Sequence, residues 1–139
     1  DIFAPAAARL ARGIPLAELG QPLTEIVAFP LPRPQVRPDG TIFGQVIHID
    51  RFGNLITSIM STDLRGHALL REGIVKIRGQ SIRGIANNYA EVAPGKLLAV
   101  IGSSDHLEIA VSGGSASQTL EAKVGDEVLL KAKGHEGKR

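Results

Sequence analysis

"TIFGQVIHIDRFGNLITSI", residues 41–59, reads as two apolar runs separated by a polar break. Residues 41–49 and 55–59 are rich in the β-branched side chains that suit a pleated, half-buried surface. Between them lie Asp50, Gly53 and Asn54, which strands avoid and turns favour. The break is either a polar turn that only reverses the chain or the rim of a ligand site.

The same rhythm continues downstream. After "MSTDLRGHALLREG" comes "IVKIRG" (74–79), which pairs with "QSIRGIA" (80–86) across a turn placed at Gly79-Gln80. "KLLAVIG" (96–102) and "LEIAVS" (107–112) flank a second hairpin-like break, and "GDEVLLKAK" (125–133) supplies the last run. Seven short β runs with turn signals and little helix predict a mainly β fold, a small antiparallel barrel or sandwich.

Upstream the pattern differs. Phe3, Ala6, Ala7, Leu10 and Ala11 fall at helical spacing, Pro5 lies in the first turn, and Gly13 is placed to end a short helix over residues 1–12. "IPLAELG" adds one further turn. Five of the eight prolines then fall between residues 22 and 38. Proline fixes φ and removes a backbone donor, so this stretch predicts an extended linker or lid. The expected organisation is a helix and Pro-rich linker over 1–39, a barrel domain over 40–132, and a basic disordered tail over 133–139.

With 139 residues, 43% of them hydrophobic, the chain is long enough for one domain with a real core. It holds no cysteine, so disulfides, thiolate chemistry and cysteine-based zinc sites are excluded. The four histidines, His48, His67, His106 and His135, show no metal-ligand spacing, and no metal or cofactor is expected. No apolar run approaches the roughly 18 residues of a membrane span, no signal peptide is visible, and a cytoplasmic protein is the economical expectation. The opening "DIFAPAAARL" lacks a starting methionine and reads as though cut from a longer protein. The last nine residues carry four Lys or Arg against one Glu, but one Tyr, four Phe and no Trp make a poor base-stacking platform. Nucleic acid is not an expected partner.

Two stretches in order, "GQVIHIDRFGNLITSI" (44–59) and "LAVIGSSDHLEIAVSGGSAS" (98–117), resemble the C-terminal domain of the S-adenosylmethionine hydroxide adenosyltransferases. The opening "DIFAPAAARLARGIPLAELG" is similar to the segment joining that family's two domains. Members hydrolyse S-adenosylmethionine to adenosine and methionine and are related to fluorinase and chlorinase enzymes. The resemblance implies a homotrimer whose ligand lies between one subunit's N-terminal α/β domain and a neighbour's C-terminal barrel. It also implies that the water-activating Asp-Arg-His group belongs to that N-terminal domain. This chain would then be the substrate-binding half, with no catalytic residue of its own.

Residue chemistry and the resemblance together suggest the substrate contacts. An Asn amide complements the amino and ring-nitrogen edge of adenine, which suits Asn54. Gly53 lets the backbone approach a flat ligand, Phe52 offers an apolar wall, and Asp50 suits the α-ammonium of the methionine moiety. Ser103 matches a serine near the methionine end, Tyr89 an aromatic that stacks on adenine, and Ala116 a position whose backbone meets the base. Glu108 could share the ammonium with Asp50; alternation within "LEIAV" alone would turn it to solvent. Some halogenating relatives carry Arg after the serine, where Ser104 stands here, so no ion-pairing role transfers. "GGSAS" has neither P-loop spacing nor a following Lys.

Taken without the resemblance, the break at 50–54 is an ordinary Asx turn. Two other classes stay open: an adenosine-binding or trimerising barrel without chemistry, and a small nucleic-acid barrel using the basic tail. Should residues 1–40 pack on another domain, their apolar face would be exposed in this chain.

Overall fold

The computed structural model describes residues 2–65 and 72–132. The expectation for the tail at 133–139, together with His67 and His135, lies outside the described residues. The chain divides into two units, residues 1–30 and 31–139.

In the first unit, helix α1 spans Phe3–Ala11 and is followed by a 3-10 turn at Leu16–Glu18. Gly13 takes φ +81° after the helix, with its N–H donating to the Leu10 carbonyl, so it ends the helix as its position suggests. No residue of either element is buried, and Phe3, Leu16, Ile26, Val27 and Phe29 are exposed.

Among the described residues the second unit is an antiparallel sheet of eight strands: β1 Gln35–Val36, β2 Ile42–Ile49, β3 Leu55–Met60, β4 Ile74–Ile77, β5 Gln80–Arg83, β6 Leu97–Ile101, β7 His106–Val111 and β8 Glu127–Lys131. Their order is β5-β4-β8-β2-β3-β7-β6, with β1 added to β2. All seven expected runs are strands. The two sheet ends approach each other where the Ala86 N–H donates to the Ala99 carbonyl at 2.8 Å and Ala86 bridges Val100. The sheet is thus a nearly closed barrel rather than a two-sheet sandwich.

Period-2 alternation fills the barrel. Val75 and Ile77 point inward while Lys76 stays outside, and Val128 and Leu130 do the same against Glu127. Ile42 and Val46 of β2 and Leu55 and Ile59 of β3 join them. Each such side chain, fully removed from water, contributes about 1.5–3 kcal/mol before the entropy of ordering is counted. A bulge between Val46 and His48 shifts the β2–β3 register before the hairpin.

Three local features differ from the sequence reading. The β4–β5 turn is Arg78-Gly79, one residue earlier than expected, because Ile77 pairs with Gln80 and both turn residues take positive φ, the requirement of a tight two-residue hairpin. The run at 96–102 forms a strand only over Leu97–Ile101, and Ser103 lies in the turn that follows. A short helix, α2 at Ala116–Leu120, follows β7.

Strands β6 and β7 depart from simple alternation. Leu107, Ile109 and Val111 enter the barrel core, yet Leu98, Val100 and Ala110 on the other face are buried too, packed against Ala86 and Val92. The segment between β5 and β6 folds over the outer face of these strands. Among the described residues no helix is long and apolar enough to cross a membrane.

Candidate functional site

The β2–β3 hairpin closes through a tight turn in which the Gly53 N–H donates to the Asp50 carbonyl and the Asp50 N–H to the Asn54 carbonyl. One Asp50 carboxylate oxygen, Oδ1, accepts from the Phe52 N–H at 2.8 Å and the Asn54 N–H at 2.9 Å. Oδ2 accepts from Asn54 Nδ2 at 3.0 Å. Burial works to raise the Asp50 pKa, but the hydrogen bonds from the backbone and side chain of Asn54 and from the backbone of Phe52 and Gly53 outweigh it. The carboxyl is held below its ordinary value. Asp50 therefore organises the loop and aims the Asn54 amide.

Gly53 sits at φ +83°, and a Cβ there would overlap the Ser115 hydroxyl. Its carbonyl accepts from the Ser117 N–H at 2.9 Å. The turn is thus pressed onto the start of α2, where Ser115 Oγ accepts from the Gln118 N–H and lies 3.0 Å from Ser117 Oγ. Sequence reasoning missed both serines. The signal was available, since Ser115-x-x-Gln118 is the spacing of a capping box.

Glu108 sits in the middle of β7, opposite Ile56 of β3 and Val100 of β6. It is only 8% exposed, so the reading that alternation turns it to solvent is overturned. The outer face it occupies is the one the β5–β6 segment covers. Gly102 makes room for it: a Cβ at that position would overlap the carboxylate.

That covering segment carries Tyr89. Asn87 donates from its backbone N–H and Nδ2 to the two carboxylate oxygens of Glu91, and Asn88 Oδ1 accepts from the Ala90 N–H, which together brace the loop. The Tyr89 hydroxyl donates to Glu108 Oε2 at 3.0 Å. Burial, the bond to Glu108 and the charges of Glu108 and Asp50 push the phenol up to about 12. Glu108 pairs across the ladder with Ile56, two residues along the chain from Asn54, so the Tyr89–Glu108 pair and the Asp50–Asn54 pair stand near the same end of the β2–β3 hairpin and form one rim.

The remaining expected residues stand at its margin. Ser103 is exposed in the turn beside Gly102. Phe52 is 62% exposed, with the Arg51 guanidinium 4.7 Å from its ring centroid. Ala116 is wholly buried in the barrel core. Among the described residues no group of three His, Asp or Glu could hold a metal ion.

Residues 44–129 match the family model described as "SAM hydroxide adenosyltransferase C-terminal domain". The chain belongs to that family. As a SAM hydroxide adenosyltransferase C-terminal domain it is 35% identical over 133 residues to an (R)-S-adenosyl-L-methionine hydrolase of Salinispora tropica, covering 95% of this chain and 49% of that protein. A hydrolase of the same name from Thermus thermophilus is 36% identical over 94% of this chain and 47% of its own length. A fluorinase of an Actinoplanes species is 43% identical over 46% of this chain and 22% of its own length. An uncharacterised conserved protein of Thermotoga maritima has a similar crystal structure, with TM-score 0.67 and 34% identity over 94% of this chain and 51% of that one. The chain spans about half the length of the curated relatives it matches. The whole rim from Asp50 to Glu108 falls within the residues the family model covers.

Proposed function

We propose that this chain is the substrate-binding, C-terminal half of an S-adenosylmethionine hydrolase that converts S-adenosylmethionine and water to adenosine and methionine. The observation that carries the reading is the rim itself: a fixed Asn amide, an aromatic ring and two carboxylates gathered within the family-matched residues. Asn54 spends one amide hydrogen on Asp50 and keeps the amide oxygen and a second hydrogen for the edge of adenine. The exposed face of Tyr89 stacks on the base. Asp50 and Glu108 make the rim negative, which favours a ligand carrying an ammonium and a sulfonium.

Water activation falls to an α/β domain of a neighbouring subunit in a cytoplasmic homotrimer. Water attacks C5′ of the ribose, the C5′–sulfur bond breaks, and methionine leaves with the bonding pair, while the proton lost by water goes to a base in that domain. A sulfonium leaves readily, so this half contributes by positioning the reacting carbon.

The test is an adenosine-release assay on this chain alone and on the same chain joined to its α/β domain. Turnover is expected only from the joined protein, and Asn54→Ala should raise its KM about tenfold. Adenosine binding without turnover in the joined protein would leave an adenosine-binding barrel in place of an enzyme.

A further inference from the structure

We infer that Glu108 is a positioning residue for the ligand, acting through Tyr89: its buried carboxylate holds the phenol hydroxyl and so fixes the ring as a stacking wall on the rim that carries Asn54. The inference rests on the adenosyl reading above and deepens it.

A carboxylate in the middle of a strand and 8% exposed is costly unless its oxygens are bonded. Glu108 spends Oε2 on Tyr89 at 3.0 Å, and the backbone at Gly102 leaves open the space the carboxylate occupies. The pairing crosses from β7 to the covering segment, so it ties that segment to the barrel at the point where the ring emerges. The other end of the residue is also held, by the Asn87–Glu91 and Asn88–Ala90 bonds of its own loop. Tyr89 is therefore anchored at its main chain and its hydroxyl, yet remains 43% exposed. A ring fixed in this way stacks on a flat ligand without first losing rotamer freedom, which is how preorganisation raises affinity.

Tyr89 is the one tyrosine of this chain and there is no tryptophan, so its fluorescence reports the pair directly. A carboxylate acceptor quenches phenol emission, and Glu108→Leu should brighten the chain at neutral pH. In the joined protein, Tyr89→Phe keeps the ring and removes the hydroxyl; KM for S-adenosylmethionine should rise about fivefold to tenfold, with a much smaller change in kcat. Glu108→Leu should raise KM by a similar factor, the double variant should be no worse than either single one, and Glu108→Gln, which retains an acceptor, should recover most of the loss.

Unchanged emission in Glu108→Leu would show that the pair does not form in solution and would overturn the inference while leaving the hydrolase reading intact. Brightened emission with KM unaltered in both single variants would make the pair purely structural and would overturn it as well. Absence of turnover by the unaltered joined protein would sink the hydrolase reading, and this inference with it.

Discussion

The Asp50 carboxylate binds both the backbone N–H and the side-chain amide of Asn54, at 2.9 and 3.0 Å. The polar break in the β2–β3 hairpin is therefore an Asx turn and a device for orienting an amide at once. A self-bonded turn and a ligand rim were alternatives at the level of sequence; the fold shows the self-bonded turn, and the proposed ligand rim rests on it.

That relationship gives a pH dependence. An unfolded Asp titrates near 3.9 and Asp50 lies lower in the folded chain. Its contribution is therefore complete above about pH 4 and is lost as pH falls through the folded value. Urea midpoints measured from pH 6 to pH 3 should fall less steeply in Asp50→Asn than in the unaltered chain; equal slopes would mean the carboxylate contributes nothing.

Gly53→Ala combines a positive φ with a Cβ that overlaps the Ser115 hydroxyl. Strain of this kind costs about 1–3 kcal/mol. A clear drop in the thermal midpoint is expected, together with weaker ligand binding, since the turn must lift off α2. Retention of the midpoint would show that the hairpin is not pressed onto α2 in solution.

Ser115→Ala removes the cap of α2 and a neighbour of the same turn. The expected loss is about 1 kcal/mol in denaturant unfolding. Because Ser117 still donates to the Gly53 carbonyl, binding should suffer less than in Gly53→Ala.

Ile109→Ala tests the barrel core rather than the rim. The side chain is wholly buried and paired in register with Leu55, so truncation should cost about 2–5 kcal/mol. Chemical denaturation would read this directly, and a loss below about 1 kcal/mol would argue that the site collapses around the smaller residue.

The strands were legible because each is a short apolar run bounded by Gly, Pro, Asp or Asn, and the helix at Phe3–Ala11 because its apolar residues keep helical spacing before Gly13. The Arg78-Gly79 turn was placed one residue late, since the hairpin's register depends on which pair closes the ladder, Ile77 with Gln80. At the site, Asn54 and Asp50 announced themselves by interrupting an apolar run. Ser115 showed only the spacing of a cap, whereas the contact of Ser117 with Gly53 and the room that Gly102 leaves for Glu108 depend on how the strands pair.

The sequence by itself determined the β class, the hairpin at 50–54 and the residues with recognition chemistry, all of which follow from local periodicity and residue type. Only the tertiary structure decided the fate of Glu108 and Tyr89. Alternation separates the two faces of β7 but cannot say whether a remote segment covers the outer one. In the folded chain the stretch between β5 and β6 does cover it, excludes water from Glu108, and leaves the Tyr89 hydroxyl as a partner for its carboxylate.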